Sequence, residues 1–122
     1  MKIFQVLRYQ KPYHLFPIKN YITNKHWLHS FNLIAKVGIT NQYIKDLGKV
    51  LDIQFYHNID DVVLKNKKLF KIVGVNKSVD YLSPYTCKIS EINEDIRNLE
   101  NLISLNNNPE CDIHNWIMKI TK

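Results

Sequence analysis

The stretch "NKSVDYLSPYTCKISEIN", residues 76–93, decides how the chain is read. It opens on a polar break, Asn76-Lys77-Ser78, and continues as two strand-like pieces separated by Ser83-Pro84. Proline lacks a backbone donor, so Pro84 belongs at a bend or a sheet edge. Immediately before the break, "LFKIVGV" (69–75) is rich in β-branched and aromatic residues and reads as another strand. Two strands flanking a short polar break make a hairpin, with Lys77 in its turn.

Working outward, "YITNKHWLHSFNLIAKVGIT" (21–40) gives two strand-like pieces, and Gly38 marks a bend or a close backbone approach. "NQYIKDLG" (41–48) fits one or two helical turns near 41–47, with Thr40 or Asn41 as N-cap and Gly48 as the stop. "KVLDIQFY" (49–56) alternates imperfectly through Val50, Ile53 and Phe55 and reads as a strand. "HNIDDVVLKNKKLFKIVGV" (57–75) supplies a turn, a short strand, a lysine-rich turn and a longer strand. Downstream, Ile92, Ile96, Leu99 and Ile103 recur at helical spacing and predict a longer helix near 92–105, capped by Ser90 or Asn93. The run Asn106 to Asn108 and Pro109 end it, and "HNWIMKITK" (114–122) closes as a strand. The expectation is a mainly β domain with one short and one longer helix.

At 122 residues and 45% hydrophobic content the chain suits one domain with a real core. No apolar run approaches the roughly 20 residues a membrane-spanning helix requires, so no transmembrane segment is expected. Cys87 and Cys111 are isolated thiols, read as reduced in an intracellular compartment and not as a disulfide. The formal net charge is +6 and is uneven. Lys2, Arg8, Lys11, Lys19, Lys25, Lys36 and Lys45 all precede the first acid, Asp46. Residues 1–20 combine these bases with aromatics and with Pro12 and Pro17, which break any long helix. They read as a basic extended arm, docked on a partner, joined to a body at 21–122. RNA phosphate, an anionic lipid surface and an acidic protein patch are all chemically suitable partners for such an arm.

Patterns of catalytic chemistry are missing. His26 and His29 have no cysteine or acid at ligand spacing, so a packed histidine outweighs a metal site. Asp60 and Asp61 fall in an expected turn and read as a solvated pair. Lys65, Lys67, Lys68 and Lys71 cluster about one turn, as a solvated surface or as a phosphate-contacting patch. Tyr9, Tyr13, Phe16 and Tyr21 interleave with arm bases, as in single-strand binders or in an arm packed in a protein groove.

Taken in order, five pieces resemble the glycine-cleavage H-protein family. "YITNKHWL", with Thr23, His26 and Trp27, resembles the family's opening run, and "VGIT" (37–40) matches its next segment. "LGKVLDIQF", "SPYTCKISEIN" with Ser83, Pro84, Glu91 and Asn93, and "NPECDIHNWIMKI" with Pro109 and Trp116 follow in the family's order. The resemblance implies a barrel-sandwich hybrid of two small antiparallel sheets. It also implies a lysine within Glu-Ser-Val-Lys-Ala at a hairpin tip, carrying lipoate as an amide. Counting forward from Phe70 that lysine is Lys77; counting back from Pro84 the position is Asn76, because the return side is one residue short. Gly74 stands for the family's glutamate, Val75 for its serine, Asn76 for its valine, Ser78 for its alanine and Cys87 for a later glycine.

The changes gather at the functional hairpin while the framework persists. The expectation is therefore a non-enzymatic, H-protein-like subunit of a larger protein assembly, without lipoate, in a mitochondrial setting favoured over a cytoplasmic one. The alternative implied by the resemblance is a working carrier. There, lipoate on Lys77 takes the aminomethyl group from a pyridoxal-phosphate decarboxylase, presents it to a folate-dependent transferase and is reoxidised by a flavin dehydrogenase.

Overall fold

The computed structural model describes residues 18–21 and 25–122. The arm expected at 1–20 lies outside them as far as residue 17. Its expected boundary falls inside strand β1 (Ile18–Tyr21), which pairs with β2 (His26–Phe31) and so belongs to the body. The chain continues through β3 (Ile34–Ile39), α1 (Asn41–Leu47), β4 (Val50–Phe55), β5 (Val62–Val63), β6 (Lys68–Gly74), β7 (Ser78–Leu82) and β8 (Cys87–Ile92). A 3₁₀ turn (Glu94–Arg97), α2 (Leu99–Asn107) and β9 (Met118–Thr121) complete it. Two antiparallel sheets result, with strand orders β1-β2-β3-β9-β8-β5 and β4-β6-β7. No helix among the described residues is long and apolar enough to cross a membrane.

One core serves both sheets. Leu28, Val37, Ile89 and Ile120 of the first pack in one cluster with Ile53, Phe70, Ile72 and Tyr81 of the second. Tyr43 and Leu47 of α1 and Ile96, Leu102 and Leu105 of the helical segment join it. Each such side chain contributes on the order of 1.5–3 kcal/mol when fully buried.

Gly38 makes the close approach expected of it. It lies opposite Trp27 in the β2–β3 ladder, and a Cβ there would stand 2.3 Å from an indole carbon. The indole, fully buried, donates from Nε1 to the Pro109 carbonyl at 3.1 Å. Helix α1 starts where the side chain of Thr40 accepts from Tyr43 N and stops at Gly48, whose φ of 86° suits glycine.

The imperfect alternation of β4 is a β-bulge: the register shifts between Val50 and Asp52, leaving Leu51 exposed. The longer helix requires a correction. Ile92 ends β8, the 3₁₀ turn intervenes, and α2 begins only at Leu99. Leu99 and Ile103, two of the residues whose spacing predicts the helix, are 75% and 53% exposed, whereas Leu102 and Leu105 are buried. A period counted across a strand end, a 3₁₀ turn and an α-helix has no single phase, because the three rotate the chain at different rates.

That helical segment covers the outer edge of β4. Asn106 accepts from Val50 N at 2.7 Å and donates to Val50 O at 2.9 Å, standing in for a neighbouring strand. Arg97 grips Asp52 with two parallel bonds of 3.0 and 3.1 Å, holding its carboxyl below the ordinary range. An edge so occupied is closed to further strands.

Candidate functional site at the β6–β7 hairpin

β6 and β7 form the hairpin expected around Lys77, with Phe70 opposite Tyr81, Ile72 opposite Val79 and Val73 opposite Ser78. Gly74 N donates to Lys77 O at 2.9 Å and closes the turn, so Val75 and Asn76 hold its apex. Lys77 is the first residue past the apex. It is exposed, and among the described residues no carboxylate forms an ion pair with it.

The short return side explains this placement. The apex goes to Asn76, the residue reached by counting back from Pro84. The surplus on the outgoing strand is absorbed at the other end, where the register shifts between Lys68 and Phe70 and Leu69 bulges.

The tip is bound to the connector after α1 by backbone groups. Val75 N donates to Lys49 O at 3.0 Å and Asn76 N to Leu47 O at 2.9 Å. The Asn76 side chain lies against Gly48, where a Cβ would approach within 2.8 Å of it. Gly74 is equally confined: a Cβ there would meet Lys77 O at 2.8 Å and Leu47 Cβ at 2.9 Å. A glutamate at residue 74 therefore needs Leu47 or the turn to move.

Farther down the hairpin, Asp80 accepts from the Tyr56 hydroxyl at 2.6 Å and faces Lys68 Nζ at 3.4 Å. The tyrosine hydrogen bond holds the Asp80 carboxyl below the usual carboxylate range. Tyr81, fully buried, stacks on Phe70 at 4.6 Å between centroids and meets the tilted His26 ring at 4.2 Å. Burial, helped by the Lys25 charge, lowers the His26 pKa to about 4.

The remaining candidates fall outside this site. His26 packs between Tyr43 and Tyr81, and His29 pairs with Asp112 of the loop that precedes β9. No cluster of three metal-ligating side chains occurs among the described residues. Asp60 faces Lys88 and Asp61 accepts from Asn58 N, as loop residues do. Lys65, Lys67 and Lys68 lie at the opposite end of β6 from Lys77, and Lys71 is within the strand. Cys87 is buried beside Ser83 Oγ at 3.4 Å and Cys111 is half-buried; both are free. Tyr9, Tyr13 and Phe16 lie outside the described residues. Sequence reasoning missed the role of Asn76. Its signal was the count back from Pro84.

A family model for the glycine cleavage H-protein matches residues 19–122. The chain belongs to the glycine cleavage H-protein family. It is 30% identical over 106 residues to the glycine cleavage system H protein of Thermotoga maritima, covering 84% of this chain and 79% of that one. Its fold is similar to that of the crystal structure of a glycine cleavage system H protein from Mycobacterium marinum. There the TM-score is 0.72 at 16% identity, over 84% of this chain and 82% of the other. The two sheets and two helices are the barrel-sandwich architecture of this family. Proteins of the family are carriers and not catalysts, and they work with partner proteins.

Proposed function

We propose that this chain is an H-protein-fold subunit that serves a larger protein assembly by docking, without lipoate. The observation that carries the reading is the occupied apex. Asn76 holds the outermost seat, tied down through its own N–H, and Gly74 leaves no room for the family's acid. The Lys77 amine is chemically suited to an amide, but Lys77 follows the apex and does not hold it. The assembly is placed, as part of this proposal, in the mitochondrion; cell fractionation tests that part separately.

The direct test offers the purified chain to a lipoate–protein ligase and reads its mass. The native hairpin should stay unmodified, whereas a variant with one alanine inserted between Ser78 and Val79, lengthening the return side, should accept lipoate on Lys77. Ready modification of the native chain at Lys77 would overturn the reading.

One observation favours a second reading, a lipoyl carrier: Lys77 is exposed and has no ion-pair partner among the described residues. Lipoate bound there would supply a reversible dithiol carrier, with the protein providing position and docking. Restoration of glycine cleavage in a strain lacking its own H protein would favour this reading over the first.

A further inference from the structure

The end of the domain away from the hairpin tip has a chemistry that the family role does not use. β6 separates the two ends by seven residues, or about 20 Å. Three turns meet there. The β5–β6 turn and the β7–β8 loop are tied by Asn66 N to Ser83 O, Ser83 N to Lys67 O, and Lys65 N to Thr86 Oγ1, at 2.8, 2.8 and 3.2 Å. The β2–β3 turn shares a recess with Tyr85 and Lys122, and the Lys122 ammonium stands 4.8 Å above the Tyr85 ring.

These turns project apolar side chains. Leu33 is 72% exposed and Leu64 57%, and Phe31, Ile34 and Leu82 are between 43% and 50% exposed. Asn32 and Asn66 take the left-handed backbone, φ 58° and 68°, that makes the two turns tight. Lys65, Lys67 and Lys122 are exposed around these apolar groups, and segments 30–35, 64–68, 82–86 and 121–122 contain no acid. Lys68 alone of this group is committed to a carboxylate, that of Asp80. The chain also enters the body at this end, since Ile18 opens β1 opposite Ser30. Residues 1–17, which carry Lys2, Arg8 and Lys11 and no acid, are attached there.

We infer that this pole is a docking surface for an anionic lipid bilayer, with Leu33 and Leu64 entering the headgroup boundary and Lys65, Lys67 and Lys122 facing lipid phosphates. Projecting aliphatic tips ringed by lysines are the elements of interfacial binding: apolar burial combined with attraction to anionic headgroups. The recess between the β2–β3 turn, Tyr85 and Lys122 is about 90 Å³, too small for a small ligand. A larger one of about 590 Å³ flanks the same turn but is lined by His29, Lys36, Glu91 and Lys119 and by none of Leu33, Leu64, Lys65, Lys67 or Lys122. The tips are largely aliphatic and carry no arginine, whereas single-strand nucleic-acid sites depend on aromatic faces and arginine. Binding here is independent of whether Lys77 is modified, because the two features lie at opposite ends of the hairpin.

The test is flotation of the full chain with vesicles of phosphatidylcholine alone or mixed with phosphatidylserine. The chain should float with the mixed vesicles only and be released as salt rises. Lys65→Ala with Lys67→Ala should weaken binding roughly fivefold per lysine, and Leu33→Asp with Leu64→Asp should abolish it. Both variants change exposed side chains, so their thermal unfolding should match that of the native chain. Leu99→Asp, equally exposed on α2, should leave binding unchanged. Equal binding to neutral vesicles, or full binding by both pole variants, contradicts the proposal. So does a chain that binds single-stranded RNA or an acidic protein while leaving anionic vesicles alone.

Discussion

The β2–β3 ladder and the β6–β7 tip are both built around glycine, yet they have drifted to different degrees from the family pattern. In the ladder Gly38 is locked by a side chain, the Trp27 indole, and the indole is locked by Pro109. Each residue there can be replaced only if its neighbours change too, and "VGIT" matches the family's segment letter for letter. At the tip the turn is held by backbone bonds, Val75 N to Lys49 O and Asn76 N to Leu47 O, while Gly74 is confined by Leu47 and Gly48 by the Asn76 side chain. The bonds from the Val75 and Asn76 N–H groups do not depend on side-chain identity, whereas Gly74 and Gly48 are limited by volume. Positions locked by volume tolerate few substitutions, and positions held only through backbone bonds tolerate more.

The contrast predicts a graded series of effects. Trp27→Ala should cost about 3–5 kcal/mol, as for a fully buried aromatic. Gly38→Ala should cost about 1–3 kcal/mol or more by overpacking. Denaturant unfolding measures both, and a loss below about 1 kcal/mol for either would show that the ladder is not volume-locked. Gly74→Glu, which returns the family's acid, should also destabilise by about 1–3 kcal/mol, because its Cβ meets Leu47 and the Lys77 carbonyl. If it is neutral, the tip is less confined than its contacts indicate.

The next effect is set by pH. His26 has a folded pKa of about 4 against an ordinary 6.5, so between these values the unfolded chain binds the extra proton. Its contribution is fully present above pH 6.5 and is lost as pH falls toward 4. The loss is on the order of 2 kcal/mol once partial exposure is discounted. His26→Gln should flatten stability across that window relative to the native chain. An unchanged slope would remove His26 from the account. The smallest effect belongs to Lys77→Ala, expected within about 0.5 kcal/mol by the same unfolding measurement, since the side chain is exposed and forms no ion pair among the described residues.

The legible parts of the sequence were those with a local cause. Thr40 and Gly48 bound α1 because a cap and a left-handed stop act within a few residues. Pro84 falls in the β7–β8 loop for want of a donor, and Gly38 announced a close approach without naming Trp27 as its cause. The unreadable parts depend on phase and distance. The start of α2 is not legible at Ile92 because the 3₁₀ turn at Glu94–Arg97 resets the helical count. Asn106 gives no sign in the sequence that it will pair with Val50, 56 residues away. At the site, Lys77 in a turn was legible from polarity alone. Its place after the apex depended on which strand absorbed the missing residue, and two counts gave two answers.

The most direct measurement is the mass of the native protein isolated from its own cells, with peptide mapping across residues 72–88. A tip whose apex is Asn76 predicts an unmodified chain and an unmodified Lys77 peptide. A stoichiometric lipoyl amide on Lys77 would contradict the account.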